Sequence, residues 1–492
     1  MGVLVPERRR CGRVASRRSK CVVPCALFFV FSMLMLWTAT AIRFDDIQLA
    51  NKKDSPEVWT KSVQAVVALE MAIEDATVRE KVQQALKKTK KGFQYCSHNV
   101  YHCDDTGNAV DVIIDDLQDG RVNWDRFPAT VKRIFVRNSV LRQTLILSEL
   151  PRQLEVFSAV NTSWNSTSLL LHPGNVVGES SVALLTCGQD SGKKCVHHLQ
   201  KLQCESCGLT EANLSKSDLL YPELTSINFN NNTLVGFDVH TVPATVTSLH
   251  ISHVPLEGLS VLDVLSRLPK ATTELNLSYT GVLFQWDTLK SITLPLTVLD
   301  LSGLTSTPSR KGQDNPDITA TEPQPMSSFC DGALGKTLEA AYFVHSGLKG
   351  VLPGLAACTR LTVLDLSHNQ LTRLPLDHLP PVLHVLRLSN NSFEEEMNVS
   401  SLPRGLLSLD VSSNRFSGPF KISDLPRSLA YFDISHNAFT GHVNLTELPE
   451  TAKFVYLQYN NFTGEADLVD IPLGIRFIMV HHNNWDYRLP AP

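Results

Sequence analysis

The sequence has almost no excess of either charge. It carries 45 Lys and Arg residues against 49 Asp and Glu residues, a formal net charge of −4 over 492 residues. Nucleic-acid-binding domains usually gather basic residues into one patch or stripe. Apart from a basic stretch at the N-terminus, the sequence contains no such excess, so nucleic acid is not an expected partner.

Signatures of catalysis are also lacking. The segment GQDSGKK at Gly188 has neither the spacing nor the Ser or Thr of a P-loop. DDLQDG at Asp115 places Leu117 where an EF-hand loop needs an oxygen ligand. Neither G-x-S-x-G nor H-E-x-x-H occurs. We therefore expect a non-enzymatic protein that needs no cofactor and no metal.

Long apolar runs are scarce, and the clearest one lies near the N-terminus. Residues 1–20 are basic, and residues 21–42 contain no charge. Ala39 and Ala41 form an A-x-A cleavage site that favours a signal peptide, whereas the length of the uncharged run favours a type II membrane anchor. Both interpretations remain open, and both place the following residues in a secretory lumen or outside the cell. The C-terminus has no apolar tail for a lipid anchor.

What the sequence does contain is one unit that recurs six times between Leu361 and Trp485. The first copies read LTVLDLSHNQL and LHVLRLSNNSF, and the starts lie 22 or 23 residues apart. Apolar residues fall at the first, fourth, sixth and eleventh positions. The ninth position holds an asparagine in every copy: Asn369, Asn391, Asn414, Asn437, Asn460 and Asn483. This spacing is typical of a leucine-rich repeat.

The repeat predicts an α/β solenoid with one parallel sheet on its concave side and a mostly irregular or extended convex side. Alternating residues such as Leu364 and Asp365 point to opposite faces of a short strand. No unit buries its apolar face alone, so the units must stack. The ninth-position Asn is expected to leave the strand and bond the backbone of adjacent turns.

Weaker copies extend the array to residues 109–485. Leu117, Leu185, Val254 and Leu304 take the ninth position and cannot make the asparagine bonds, so we expect a less regular first half. The interval of 42 residues before the unit at Leu338 predicts an exposed insertion at about 305–328. Residues 486–492 would form a short C-terminal cap. The earlier units start at Ala109, Val131, Leu154, Val177, Leu199, Leu224, Val246, Thr272, Leu296 and Leu338.

An N-terminal cap is predicted at residues 55–108. Ser55 and Pro56 begin a helical pattern that ends in a Lys-rich turn and Gly92. Cys96 and Cys103 then form a predicted disulfide, consistent with the even number of cysteines after residue 42 in an oxidising compartment.

Four further cysteines have two possible roles. Cys187, Cys195, Cys204 and Cys207 have a spacing that could hold zinc. The alternative is that they are buried or disulfide-bonded.

Asparagine-linked glycosylation sequons are frequent along the array, which supports lumenal exposure of the repeats. There are nine: Asn161, Asn165, Asn213, Asn231, Asn276, Asn390, Asn398, Asn444 and Asn461.

The spelling of the later units resembles a known group. LDVSSNRFSGPFKISDLPRSL and FDISHNAFTGHVNLTELPETA combine S-x-N-x-F-S/T-G with a short extended run and L-P. This looks like the extracellular leucine-rich repeat surface proteins of kinetoplastid protozoa, the surface-antigen-like group. It is also similar to the ectodomains of plant receptor-like proteins, which share a helix and paired-cysteine cap. The resemblance implies a solenoid at the cell surface and no particular reaction.

The candidate binding surface is the concave side of the last units. The third, fifth, seventh and eighth positions of each unit are expected to line it, and an exposed cluster of rings there is typical of a recognition site for protein or glycan. The alternative is that the rings shield a weakly capped end. The candidate residues are Tyr431, Phe454, Tyr456, Tyr459, Phe477, Met479, His481 and His482.

Two further columns run through the array. Histidines recur at the eighth position and could bind metal or respond to acidic pH, or they could be an ordinary spelling of the turn. Adjacent strand residues point to opposite faces, so neither His197 with His198 nor His481 with His482 is expected to form a chelate alone. Aspartates at the fifth position are interpreted as a solvated face. The columns comprise His253, His345, His368, His436 and His482, and Asp300, Asp365, Asp410 and Asp433.

Together these features predict a glycosylated recognition protein at the cell surface or in a secretory lumen. Its partner would be a protein or glycan on the concave face, with the membrane a second partner if the N-terminal segment is retained. The alternative is a structural coat or spacer protein without a dedicated ligand.

Overall fold

The computed structural model describes residues 2–4, 101–104, 108–171, 197–212, 214, 220–256, 258–304, 328–465, 468 and 470–486. The predicted leader apart from residues 2–4, the predicted helix within 55–92, the insertion at 305–327 and residues 487–492 lie outside these ranges. Within them, no helix is both long and apolar enough to span a membrane. Contacts divide the chain into two units, Pro6–Leu141 and Arg142–Pro492 with Met1–Val5.

We number the strands in chain order. Strand β1 is Gly2–Leu4, and the strands of the unit Pro6–Leu141 are β2 (Tyr101–Cys103), β3 (Ala109–Asp115), β4 (Gln118–Gly120), β5 (Arg133–Arg137) and β6 (Val140–Leu141).

In this unit β3 and β5 form a parallel pair. Val112 lies opposite Ile134, and both side chains are fully buried because alternate residues of each strand face the core. On the other face, Arg133 donates to both carboxylate oxygens of Asp111. Strand β2 adds to β3 in the antiparallel direction, and β4 pairs with β6 in parallel.

The second unit contains the remaining strands. They are β7 (Val156–Val160), β8 (Ser163–Trp164), β9 (Ser168–Leu169), β10 (Lys201–Glu205), β11 (Glu211–Ala212), β12 (Ser226–Asn228), β13 (Ser248–His250), β14 (Glu274–Asn276), β15 (Val298–Asp300), β16 (Ala340–Tyr342), β17 (Lys349–Val351), β18 (Val363–Asp365), β19 (Gln370–Arg373), β20 (Val385–Arg387), β21 (Ser408–Asp410), β22 (Tyr431–Asp433), β23 (Thr440–His442), β24 (Phe454–Tyr456), β25 (Asn461–Thr463) and β26 (Phe477–Met479).

One parallel sheet runs through this unit from β7 to β26, and it confirms the predicted solenoid. The strands β12 to β16, β18, β20, β21, β22, β24 and β26 occupy the third to fifth positions of their repeats and pair in register. The fourth-position residues, such as Leu364, Leu386 and Leu409, are fully buried. Each leucine side chain contributes about 1.5–3 kcal/mol through this burial.

The predicted repeat at Val177 is wrong. Strand β7 pairs directly with β10, with Phe157 opposite Leu202, so no strand of an intermediate repeat lies between them. That unit rested on spacing rather than on a repeated motif. By contrast, β15 pairs directly with β16, so no strand of a further repeat lies between them in this sheet.

The convex side carries short 3-10 helices of three to six residues. Within the unit these include Leu147–Glu149, Val239–Thr241, Trp286–Ser291, Phe329–Asp331, Leu376–His378, Val399–Ser401, Ile422–Asp424 and Leu445–Glu447. Among the described residues of this unit, two α-helices interrupt the pattern, α1 (Val261–Arg267) and α2 (Leu334–Thr337). Helix α1 begins with a capping box, in which the Ser260 hydroxyl accepts from the Asp263 amide and the Asp263 carboxylate accepts from the Ser260 amide.

The asparagine ladder is present as predicted. The Nδ2 group of Asn391 donates to the carbonyls of Leu366 and Leu388, and its Oδ1 accepts from the amide of Leu371. Each asparagine therefore joins two neighbouring turns. Where Leu117 replaces the asparagine it is buried, and its amide donates instead to the Ser139 hydroxyl of the next repeat.

An aromatic stack fills the core at the eleventh position of the last repeats. The rings of Phe393, Phe416, Phe439 and Phe462 stack on one another with centroid separations of 5.3, 6.0 and 6.4 Å. Trp485 continues the stack on Phe462 at 6.2 Å, and its indole nitrogen donates to the carbonyl of Val480. The final tryptophan thus covers the end of the core.

Strand β1 lies antiparallel to the last strand, with Val3 opposite Ile478. A chain whose residues 1–20 lie across a membrane from the repeats cannot make this pair, and neither can a chain from which the leader has been cleaved. The pairing and the predicted leader are therefore mutually exclusive within one molecule.

Four cysteines of the array form disulfides, and Cys187 and Cys195 lie outside the described residues. Cys204 bonds Cys207, and Cys330 bonds Cys358. The zinc interpretation is therefore wrong, because two of its four thiolates are consumed. Cys103 is disulfide-bonded as well, and its predicted partner, Cys96, lies outside the described residues.

Candidate functional site

The candidate site is the concave surface formed by strands β22, β24 and β26. Side chains at alternate positions of these strands point away from the core, because the fourth-position residues Phe432, Val455 and Ile478 point into it. The third position forms the row Tyr431, Phe454 and Phe477, and the fifth forms Asp433, Tyr456 and Met479. All six side chains are half-buried.

The rings of this surface contact one another. Tyr431 and Tyr456 lie 5.7 Å apart between ring centroids, and Tyr456 and Phe477 lie 5.5 Å apart, with tilts of 50° and 44°. Such tilted pairs are favourable aromatic geometries. The structure therefore joins these three predicted residues into one aromatic patch.

The eighth-position residues occupy a different place from the one predicted. They follow the strands in a left-handed turn, with φ between 47° and 58° for every non-glycine member. Asn, Asp and His tolerate this conformation better than most residues, which explains the recurring S-H-N spelling. Their rings stack along one rim of the sheet: His436 lies 4.3 Å from Tyr459, which lies 4.2 Å from His482.

His481 and His482 do not point to opposite faces as the strand pattern predicts. Their Nδ1 atoms are 2.6 Å apart, because the left-handed turn at His482 brings its ring back toward its neighbour. Burial, and then nearby positive charge, lowers the pKa of His481. Among the described residues, no group of three or more His, Cys, Asp or Glu side chains is arranged to hold a metal ion.

Carboxylates border the aromatic patch. Asp410 and Asp433 are adjacent in register, and each accepts through Oδ1 from the amide and hydroxyl of the serine two residues later, Ser412 or Ser435. Burial raises the pKa of the Asp433 carboxyl, and the neighbouring Asp410 raises it further. Burial, then the charge of Asp433, raises the pKa of Tyr456.

Other members of the aspartate column are less solvated than predicted. Asp365 is only 6% exposed, and its Oδ2 lies 3.4 Å from the guanidinium of Arg387 on the next strand. Burial raises the pKa of Asp300. The column is therefore a partly desolvated row of carboxylates with one cation, which the identity of the residues alone did not indicate.

A cluster of Ser248, His250 and Glu274 was not predicted from the sequence. The Ser248 hydroxyl donates to Glu274 at 2.8 Å and lies 3.1 Å from Nε2 of His250. In a catalytic triad the acid holds the other imidazole nitrogen. Here the Glu274 carboxylate accepts a hydrogen bond from the Ser248 hydroxyl and lies 3.9 Å from Nε2 of His250, the same nitrogen that the serine contacts, so the cluster is not arranged as a triad.

The sequons fall on several surfaces. Asn161, Asn231 and Asn390 are exposed at the left-handed rim. Asn276 is half-buried in a concave strand, where its Oδ1 accepts from the Ser278 amide and hydroxyl. Four others, Asn165, Asn398, Asn444 and Asn461, are exposed, and Asn213 lies outside the described residues.

The sheet, the asparagine ladder and the regular register define a leucine-rich repeat solenoid. The family described as Leucine Rich Repeat matches residues 360–381. A search of curated proteins finds no match.

Solved structures with a similar fold include proteins from plants and bacteria. The Arabidopsis receptor kinase HAESA ectodomain, solved with an IDA peptide hormone, is 19% identical with a TM-score of 0.48, covering 87% of this chain and 70% of that chain. The plant peptide hormone receptor RGFR1 in complex with RGF2 is 20% identical with a TM-score of 0.41, covering 73% and 65%. The Leptospira interrogans protein LIC12759 is 18% identical with a TM-score of 0.42, covering 73% and 74%.

At these identities the likeness concerns the fold alone. The narrower resemblance to kinetoplastid surface-antigen-like proteins stays a prediction.

Proposed function

We propose that this protein is a non-enzymatic recognition protein that binds a protein ligand on the concave surface of its last repeats. The observation that carries the proposal is the aromatic patch of Tyr431, Tyr456 and Phe477, whose contacting rings are half-buried on a sheet face that points away from the core. Interface hot spots are enriched in such aromatic residues.

The experiment compares capture of partners from surface and secreted proteins by the wild type and by a Tyr456→Ala, Phe477→Ala variant. We expect the double variant to bind a captured partner at least about tenfold more weakly, because hot-spot rings contribute about 2 kcal/mol or more each. Tyr342→Ala is the matched control, since Tyr342 is a half-buried ring at the same repeat position on β16. Equal binding by all three proteins, with native stability, would refute the proposed site.

We further propose that the repeats face a secretory lumen or the cell exterior. The support is the uncharged run at residues 21–42, the nine sequons and the disulfides. On this proposal residues 2–4 do not pair with β26 in the mature protein.

Intact mass and N-terminal sequencing of the native protein, before and after deglycosylation, test the placement. A mature N-terminus at Ile42 indicates a cleaved leader, whereas a chain that retains residues 1–41 and carries glycans indicates a type II anchor. A protein without any glycan would count against the lumenal placement.

A further inference from the structure

Several polar side chains beside the aromatic patch have acceptor atoms for which the described residues supply no donor. Asp410 and Asp433 each use Oδ1 for their own serine, and no donor among the described residues reaches the second carboxylate oxygen of either. Arg387 is the only cation in the fifth-position column from β15 to β26. Its guanidinium pairs with Asp365 on the far side.

A third acceptor on the same face is also unsatisfied. Gln458 follows Tyr456 by two residues and therefore shares its side of the chain. The side chain is 8% exposed, and its Oε1 has no hydrogen-bond partner among the described residues. A buried polar atom without a partner costs about 1–3 kcal/mol, so an unpaired one next to a candidate site is informative.

The rings add a second kind of electron-rich surface. The faces of Tyr431, Tyr456 and Phe477 form a continuous patch beside the two carboxylates. A guanidinium or ammonium group within about 6 Å of such a ring is attracted by the ring quadrupole. Arg is especially suited, since its planar head both stacks on rings and carries five donors for carboxylates.

The charge pattern separates the possible ligands. An acidic segment would be repelled by Asp410 and Asp433, which already repel each other across adjacent strands. A neutral apolar segment would leave the second oxygen of each carboxylate without a donor. A basic segment supplies donors to both carboxylates and a cation to the rings.

We propose that the ligand segment bound by the concave surface of β21 to β26 is an extended basic stretch of a partner protein. Its Arg or Lys side chains stack on Tyr456 and its neighbouring rings, and their charged heads donate to Asp410 and Asp433. This inference rests on the proposed function and adds the chemistry of the ligand.

The test measures binding of three peptides of equal length to the full-length protein. One alternates Arg and Ser, one replaces each Arg by citrulline, which has the same shape without the charge, and one alternates Glu and Ser. The variants are Asp410→Asn with Asp433→Asn, and Tyr456→Ala with Phe477→Ala. Asp300→Asn is the control, because Asp300 has the same repeat position and the same bond to the serine two residues later, outside the patch.

The Asn substitutions should leave the fold intact. Asn276 occupies the same repeat position and accepts from the amide and hydroxyl of Ser278 as the two aspartates do from their serines. Loss of binding in the double Asn variant therefore reports the missing charge.

We expect the Arg peptide to bind the wild type and the control equally, and to bind both double variants at least about tenfold more weakly. The citrulline and Glu peptides should also bind at least about tenfold more weakly than the Arg peptide. Equal binding of the citrulline peptide, or unchanged binding to the double Asn variant, would overturn the inference.

The two proposals fail in different ways. If a captured partner depends on Tyr456 and Phe477 but is indifferent to Asp410 and Asp433, the basic-segment inference is wrong and the recognition site stands. If the partner depends on neither pair, both proposals are wrong.

Discussion

The side-chain nitrogen of Asn414 donates to the backbone carbonyl of Leu388, 2.9 Å away in the preceding repeat. The same Nδ2 lies 3.1 Å from the carbonyls of Val411 and Ser412, and the Oδ1 atom accepts from the amide of Phe393. One side chain thus satisfies backbone groups of two turns.

Replacement of this asparagine should destabilise the array. In Asn414→Leu these carbonyls and the Phe393 amide lose their side-chain partner, at a cost of about 1–3 kcal/mol. Urea unfolding followed by circular dichroism measures the change. Arg415→Leu is the control, because Arg415 is exposed on the next position. An unchanged midpoint for Asn414→Leu would contradict the role of the ladder.

Most of the fold could be predicted because the spacing of apolar and polar residues within each repeat determines which side chains are buried. The strand positions, the burial of Leu364 and the bonds of Asn391 all follow from period-two alternation and one polar residue per turn. The error at Val177 arose where spacing was used without a motif. Direct pairing of Phe157 with Leu202 depends on a long connection whose length gives no sign of its path.

The candidate site was predictable only in part. The aromatic residues could be found because repeat register assigns each position to a face. The convergence of His481 with His482 could not, since it depends on a left-handed backbone at one residue. The burial of Asp365 and the unpaired Oε1 of Gln458 depend on packing by neighbours, which the sequence of a single repeat does not specify.

The disulfides should differ in their contribution to stability. Cys330–Cys358 closes a segment with a sequence separation of 28, and Cys204–Cys207 one of 3. Loop-closure entropy gives about 3–4 kcal/mol for the first and about 1–2 kcal/mol for the second.

Paired Cys→Ala variants test this order. We expect Cys330→Ala with Cys358→Ala to lower the free energy of unfolding more than Cys204→Ala with Cys207→Ala, measured by urea unfolding under oxidising conditions. All four side chains are buried, so loss of packing is similar in kind for the two pairs. The reverse order would contradict the entropic argument.

Gly303 should be required by the ring of Tyr279. A Cβ atom at position 303 would lie 2.2 Å from Cδ1 of that ring. The backbone has φ of 68°, close to that of Asn390 at the same repeat position, so Asn can adopt the conformation.

We therefore expect Gly303→Asn to destabilise the protein by about 1 kcal/mol or more through displacement of the ring. Tyr279→Ala should remove that penalty, so that Gly303→Asn costs little in its presence. Thermal unfolding of the four proteins forms a double-mutant cycle. Additive effects of the two substitutions would show that the ring of Tyr279 is not the reason why position 303 needs glycine.

Protonation of His197 should lower the stability of the repeats around it at acid pH. The side chain is 4% exposed, and its ring lies 5.1 Å from that of Tyr221. Burial, together with the positive charges of Arg152 and His198, lowers the pKa of His197 to about 4 from 6.5. The unfolded chain therefore binds a proton at a higher pH than the folded chain.

Because the pKa of His197 is lower in the folded chain, acid favours unfolding. Above pH 6.5 His197 is neutral in both states and its neutral form contributes fully to the free energy of unfolding. As the pH falls from 6.5 toward 4 the unfolded chain binds the proton first, so the free energy of unfolding falls by about 3 kcal/mol for this single group. Urea unfolding of the wild type and of His197→Phe between pH 7 and pH 4 isolates this contribution as the difference between their pH profiles. His240→Gln, at an exposed histidine, should keep the wild-type profile. Parallel profiles for the wild type and His197→Phe would show that His197 takes up its proton without unfolding the repeats around it.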